Sequence, residues 1–227
     1  MSVVSADIMV DSTYTITGTD QLVYTDGIIS LTADISNTSI SVTADNITLN
    51  GADYILTNTT LVLTNCNNIT VTGWTITETE TAVVIAGGTN ITFTQNTLSQ
   101  NKVGLYLTNK IAENTVPLNV TVYQNNFYNN LDTKFDLTYS TQTQVTFTNS
   151  THGNFWYTYA GADTDLNGVG DTPYQLTADF TDPNPLMSPV GEPLIVVPEF
   201  PTYILLITIC CTAAAFVVTK KLEVKKQ

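Results

Sequence analysis

Asn46-Ile47-Thr48-Leu49 returns as Asn68-Ile69-Thr70-Val71 and again as Asn90-Ile91-Thr92-Phe93. Looser copies follow at Asn119-Val120-Thr121-Val122 and Gln144-Val145-Thr146-Phe147. Counted on the Ile/Val, the steps are 22, 22, 29 and 25 residues. An inward apolar residue, an outward Thr and a second inward apolar make a short strand of period two. A strand unit recurring above every 20 residues is the signature of a solenoid. Leucine-rich repeats have this length but need helix-compatible segments. Here Thr, Ile, Val and Asn dominate, and they favour strands and turns. A rung of about 22 residues with three strands and three bends fits a parallel β-helix, stable only when stacked on its neighbours. Stacking puts Ile47, Ile69 and Ile91 in one internal column, and Asn96, Asn101, Asn126 and Asn130 near bends, each bonding to the next rung.

Charge is scarce and uneven. Residues 1–200 carry 19 of the 20 acids and three of the seven lysines, and the chain has no arginine. A surface this acidic repels phosphates, which argues against nucleic acid and for cations or basic partners. Cys66 stands alone, and Cys210 and Cys211 lie in the apolar tail, so no intradomain disulfide or Cys-based metal site is expected. Cys66 reads as a small buried apolar residue.

The expected organisation runs in six parts. Residues 1–38 form an N-terminal cap, with no basic start and apolar run to read as a signal peptide. Rungs occupy 39–155, with a loop at 109–118 in the 29-residue step. A C-terminal cap covers 156–187, opened by the aromatic stretch Asn154 to Tyr159, read as a plug or, alternatively, as a groove for sugars. A proline-punctuated stalk spans 188–202. Tyr203 to Val218 is a charge-free run of 16 residues, and 203–219 is expected to be a transmembrane α-helix. At about 1.5 Å per residue it is short for a hydrocarbon core of about 30 Å, a gap closed by snorkelling Lys220 and Lys221. Tail 220–227, holding four lysines, stays cytoplasmic and leaves residues 1–200 outside, at the cell surface.

Within the cap, Asp163-Thr-Asp165-Leu-Asn167-Gly168-Val169-Gly170-Asp171 places oxygens at alternate positions, Gly sixth, a backbone carbonyl (Val169) seventh and a carboxylate ninth. That matches the first part of a Ca2+ loop, since calcium takes six to eight hard oxygens. Tyr174 stands where an EF-hand has its bidentate Glu, and no helix pattern flanks the loop, so a structural calcium site of non-helical type is expected. Asn37, Asn46, Asn58, Asn68, Asn90, Asn119 and Asn149 each open an Asn-x-Ser/Thr sequon. They are candidates for glycan, although β-helix bends want Asn and strands want Thr anyway. Glycosidase chemistry would need two carboxylates about 5–10 Å apart across a groove, and Glu78 and Glu80 read as sharing a strand face. His152, the one histidine, has no Ser or Cys partner in a motif.

These residues carry a resemblance. The rungs resemble the right-handed β-helix repeats of the NosD-like group. Gly153 to Tyr174 and Asn184-Pro185-Leu186-Met187-Ser188-Pro189 are similar to that group's terminal motif in archaeal surface proteins. Val197-Pro198-Glu199-Phe200-Pro201 resembles their C-terminal anchor and also a sorting signal that exchanges the helix for a covalent link. The resemblance implies an all-β right-handed solenoid at the cell surface. Pectate-lyase-like relatives catalyse β-elimination with a basic residue and calcium-binding acids, and this chain has few of those bases. The expectation is a membrane-anchored, non-catalytic protein of surface structure or adhesion, with polysaccharide or cell-envelope proteins as partners. A polysaccharide lyase or glycosidase and a self-assembling envelope subunit are the alternatives.

Overall fold

A computed structural model of the chain describes residues 7–109, 115–136 and 145–191. Strands are the regular elements there, and no described helix is long and apolar enough to cross a membrane. The membrane helix at 203–219, the tail at 220–227, the stalk beyond Gly191 and positions 110–114 of the expected loop lie outside the described residues.

The repeated phrase builds the first of three sheets. Ile28–Leu31, Ile47–Asn50, Asn67–Thr72, Thr89–Thr94, Leu118–Tyr123 and Val145–Thr146 stack in parallel, in chain order. After each, the chain bends into a second sheet of short strands, among them Ile55–Thr57, Thr75–Thr77, Thr97–Ser99 and Asn126–Tyr128. It bends again into a third, which includes Ser39–Val42, Thr60–Thr64, Thr81–Ala86 and Val103–Thr108. Among the described residues this circuit is completed about five times in an all-β, right-handed-type solenoid.

The register follows from alternation. Ile69 lies level with Ile47 and Ile91, and Val71 with Leu49 and Phe93, so one core column is continuous from turn to turn. Val120 continues the Ile91 position across the 29-residue step. The second sheet adds Leu56, Ile76, Leu98, Phe127 and Trp156, and the third adds Leu61, Val83 and Leu105; all are buried. Each such side chain contributes about 1.5–3 kcal/mol on burial. Trp74 turns a corner inside the core, its indole Nε1–H donating to the Leu49 carbonyl at 2.9 Å.

The first turn begins earlier than the repeat phrase indicates. Ile28–Leu31 and Ile35–Ser36 already pair in parallel with the next turn, burying Ile29, Leu31 and Ile35. Only the apolar alternation marks this turn, because it lacks the leading Asn. Capping is done by two antiparallel hairpins, Ile8–Val10 with Ile16–Thr17 and Leu22–Thr25 with Ile28–Leu31, which cover the edges of the third and first sheets. At the other end Leu186 bridges to Phe155 on the last second-sheet strand. Residues 188–191, expected to open the stalk, are still tied to the body. Val190 N–H donates to Asn126 Oδ1 at 2.8 Å and its carbonyl accepts from Asn126 Nδ2 at 3.0 Å.

Two kinds of asparagine ladder hold the corners. The inner one runs Asn96, Asn125, Asn154, all fully buried. Asn96 Nδ2 donates to Asn125 Oδ1 at 3.0 Å, and Asn125 Nδ2 to Asn154 Oδ1 at 2.9 Å. Asn101 and Asn130 repeat the pattern at a second corner, with Asn101 Nδ2 donating to Asn130 Oδ1 at 3.0 Å. Of the expected bend residues, Asn96, Asn101 and Asn130 bond to a neighbouring turn, but the left-handed backbone expected of them falls one residue earlier, at Gln95, Gln100 and Asn129; Asn126 sits in a strand, and its neighbour Asn125 takes the ladder position. The inner ladder ends on a carboxylate. Asn154 donates to Asp182 Oδ2 through its backbone N–H at 2.7 Å and Nδ2 at 3.2 Å, and Trp156 Nε1–H joins them at 2.8 Å. Burial pushes the Asp182 carboxyl above its ordinary value, against these donors, which favour the charged form.

Candidate ligand-binding cleft

The C-terminal end of the stack gathers aromatic side chains that are far apart in sequence. Phe127 and Trp156 occupy equivalent inward positions on successive turns and stack at 4.2 Å, with 10° between their planes. Tyr174, from the antiparallel pair Tyr174–Gln175 and Thr181–Asp182 in the C-terminal cap, stacks on Trp156 at 5.1 Å and 20°. Its hydroxyl lies 2.8 Å from Thr158 Oγ1. Strand alternation splits the aromatic stretch between inside and outside. Trp156 plugs the core, whereas Tyr157, one residue on, faces out and is 58% exposed.

Beside this stack lies a cleft of about 530 Å3, walled by Leu131, Asp132, Tyr157, Tyr174 and Leu176, with Asn129 and Asn130 at its rim. Leu131, at the bend before the last third-sheet strand, is 81% exposed. A shallower depression follows the corner where the second sheet turns into the third, lined by Asn58, Glu78, Glu80, Gln100 and Lys102. Asn129 and Leu131 line both, so the two hollows are contiguous along the solenoid. Large apolar surfaces edged by a few amides and one carboxylate are the usual make-up of a small-molecule or chain-binding site.

The expected acid pair is arranged differently. Glu78 is in a bend with φ 58°, and Glu80 comes just before the next strand, so the two do not share a strand face. The cause is the tightness of the corner, which takes three residues between Thr77 and Thr81. Glu80 forms an exposed ion pair with Lys102 of the following turn.

The acidic loop is closed by its own backbone. Asp163 accepts from Asn167 N–H at 3.1 Å and Gly168 N–H at 2.9 Å. Asp165 accepts from Asn167 Nδ2 at 2.9 Å, and Asn167 Oδ1 from Val169 N–H at 2.7 Å. Asp171 turns to Thr164, accepting its hydroxyl at 2.7 Å and its N–H at 2.8 Å, and these bonds hold its carboxyl below the ordinary value. Gly168 supplies the left-handed φ of 85° at the sharpest point.

The sequons fall at corners. Asn37, Asn46, Asn58, Asn68, Asn90 and Asn119 all have φ between 46° and 58°, the left-handed backbone that Asn tolerates. Asn68, Asn90 and Asn119 each donate Nδ2 to the Oδ1 one turn back, at 2.8, 2.9 and 2.6 Å, forming an outer ladder that starts on Asn46. Asn149 belongs to no ladder. Cys66 is fully buried, its S–H donating to the Val42 carbonyl at 3.1 Å, and burial pushes the thiol up to about 12. His152 lies in a bend with Nδ1 2.9 Å from Thr151 Oγ1.

A family model described as periplasmic copper-binding protein (NosD) matches residues 5–161, well over half of the sequence. The chain belongs to the NosD family. The match takes in the two N-terminal hairpins and the described turns of the solenoid, and ends inside the cap, before the acidic loop. No curated protein and no solved structure matches the chain. The sequence marks only the aromatic stretch as an alternative groove; Leu131 and Tyr174 come from separate segments and meet it only through the cap.

Proposed function

We propose that this NosD-family chain is a non-catalytic extracellular solenoid that binds polysaccharide in the cleft at its C-terminal end. The observation that carries it is an exposed Tyr157 and Leu131 flanking a cleft backed by Tyr174 on the Trp156 stack. Ring faces accept the apolar C–H faces of a sugar, while Asn129 and Asp132 offer a carbonyl and a carboxylate for its hydroxyls. Attachment through 203–219, with residues 1–200 outside, belongs to the same reading and rests on the apolar run between the prolines and the lysines.

The family's description names copper. Copper sites are built from imidazole and sulfur ligands. His152 is engaged with Thr151, and Cys66 is buried with its thiol held protonated. Among the described residues no three of His, Cys, Asp and Glu gather to hold an ion. The described residues do not fit copper, and no step is assigned to it. Calcium at Asp163, Asp165, Asn167, Val169 and Asp171 is part of the proposal as a structural ion whose binding would draw the three carboxylates together, since they do not converge without it and Asp171 is turned to Thr164. The donors there are all oxygen, and the turns that close the loop use only part of each carboxylate's lone-pair capacity.

The test is retention of the full chain, in detergent, on a panel of neutral and acidic polysaccharides, with assay for released reducing or unsaturated ends. The reading expects retention without new ends, weakened about tenfold, or about 1.4 kcal/mol, in Tyr157→Ala. Retention unchanged by that substitution removes the cleft from the function, and new chain ends make the protein an enzyme.

A further inference from the structure

Seven sequons present the same tripeptide chemistry, but the fold does not present them equally. Transfer of a glycan to asparagine requires the tripeptide to leave its place and enter the active site of a transferase. Sites that open locally at low cost are therefore favoured over those tied into the global fold. In six of the seven, the Ser or Thr of the sequon lies inside a strand. Ser39, Thr48 and Thr60 open or occupy strands after Asn37, Asn46 and Asn58, and Asn68, Asn90 and Asn119 are themselves strand residues. The amide nitrogen is also committed in most of them. Asn68, Asn90 and Asn119 donate along the outer ladder, Asn58 Nδ2 donates to Asn37 Oδ1 at 3.0 Å, and Asn37 Nδ2 to Ser36 Oγ at 3.3 Å. Asn46 heads the ladder, and its Oδ1 receives Asn68 Nδ2.

Asn149-Ser150-Thr151 differs in its place in the fold, and shares with Asn46 an amide nitrogen that donates to no described residue. It lies wholly in the bend between Val145–Thr146 and Phe155–Trp156, outside any strand, and all three residues are exposed. Asn149 Oδ1 accepts from Thr151 N–H at 3.2 Å, Thr151 Oγ1 at 3.0 Å and His152 N–H at 2.9 Å. Its Nδ2 donates to no described residue. Opening this bend costs those bonds, the Asn149 N–H to His152 carbonyl bond, the Ser150 N–H to Thr148 Oγ1 bond at 3.1 Å and the Thr151 Oγ1 to His152 Nδ1 bond, and breaks no described strand pairing.

We infer that Asn149 is the N-glycan acceptor of the folded protein, and that the stack withholds the six corner sequons. The inference uses the proposed exposure of this domain outside the cell, and is independent of the cleft. The co-reactant is an oligosaccharide linked to a polyprenyl diphosphate. Asn149 Nδ2 forms a bond to the anomeric carbon and the carbon–oxygen bond to the diphosphate breaks. The diphosphate carries away the electron pair, Nδ2 gives up one proton, and nothing is oxidised or reduced.

The experiment incubates the folded full chain with a purified oligosaccharyltransferase and its lipid-linked donor. Synthetic peptides spanning each sequon are treated in parallel, and occupancy is read by mass spectrometry of the proteolytic glycopeptides. In the folded chain Asn149 is expected to be modified about tenfold or more faster than any other sequon, the ratio that about 1.4 kcal/mol of extra opening cost produces. In the peptides that preference is expected to disappear. Asn149→Gln and Thr151→Ala remove the modification, and Thr151→Ser keeps it. The inference is overturned if Asn68 or Asn90 is modified in the folded chain as fast as Asn149, or if Asn149 stays unmodified. It is equally overturned if the peptides show the same preference, since sequence and not folding would then be selecting the site.

Discussion

Removing the carboxylate of Asp182 gives the sharpest test of how the solenoid is closed. Asp182 is fully buried and takes four donors: Asn154 N–H at 2.7 Å, Asn154 Nδ2 at 3.2 Å, Trp156 Nε1–H at 2.8 Å and Asn184 N–H at 3.0 Å. Asp182→Ala leaves the Asn154 backbone N–H and Trp156 Nε1–H as buried donors with no acceptor, while Asn154 Nδ2 keeps the Val122 and Phe147 carbonyls at 2.9 and 3.1 Å. Each unsatisfied buried donor costs about 1–3 kcal/mol. Part of this is returned, because burying the carboxyl is itself unfavourable, as its raised pKa shows. A net loss of about 3 kcal/mol is expected, a large share of a typical stability of about 5–15 kcal/mol. Asp182→Asn keeps one oxygen for Asn154 and Trp156 and forfeits mainly the Asn184 bond, costing about 1 kcal/mol. The assay is urea unfolding followed by the fluorescence of Trp74 and Trp156, run from acid to neutral pH. Because the folded pKa lies above the ordinary 3.8, the native state holds its proton more tightly than the unfolded chain. The contribution of Asp182 is therefore complete below 3.8 and declines as pH rises through the folded value. The stability difference between wild type and Asp182→Asn should follow that decline. An alanine variant within about 0.5 kcal/mol of wild type, the ordinary size of a surface substitution, or a difference flat with pH, would refute the reasoning.

Further outcomes follow from other parts of the molecule. Ile69→Ala opens a hole in a column packed above and below by Ile47 and Ile91, and should cost about 2–5 kcal/mol in the same urea assay. Gly51→Ala would place a methyl 2.1 Å from the Gly73 carbonyl oxygen of the next turn. That forces the backbone apart at a cost of about 1–3 kcal/mol, readable as a fall in Tm. Cys66 should resist alkylation in the folded chain and react once urea opens the core, as measured on its tryptic peptide, because its thiol is buried and pushed up to about 12. Calcium should raise the Tm of the full chain and lose that effect in Asp163→Asn. An identical Tm with calcium and with chelator removes the ion from the cap.

Much of the fold was legible because one tripeptide does two physical jobs. In Asn-Ile-Thr the Asn accepts left-handed backbone at the corner, and the Ile fixes which face of the strand is inside. Every turn carrying both signals was assigned its register correctly, across the 29-residue step as well. The first turn was missed because Ile29, Leu31 and Ile35 have alternation without the corner Asn. The inner ladder was misassigned by one residue because Asn125 and Asn126 are adjacent and both buried, and only three-dimensional packing separates them. Of the cleft only the aromatic stretch around Tyr157 is legible, as the alternative groove. Its walls are assembled by the cap, whose two-residue strands carry almost no periodic signal.

The inner ladder also has a direction. Each carboxamide oxygen accepts from the turn before and each Nδ2 sends one bond on toward Asp182, besides those it makes to backbone carbonyls, so the column has a donor end at Trp74, whose backbone N–H meets Asn96 Oδ1 at 3.0 Å, and a single carboxyl stop. Growth of such a molecule is therefore modular in the middle and specialised at its extremities. A tandem copy of residues 68–89, one 22-residue step, would present to both neighbours the edges they already meet. The stop, in contrast, exists once, and a lineage of these chains can change length by gene duplication only while that one aspartate stays last in line.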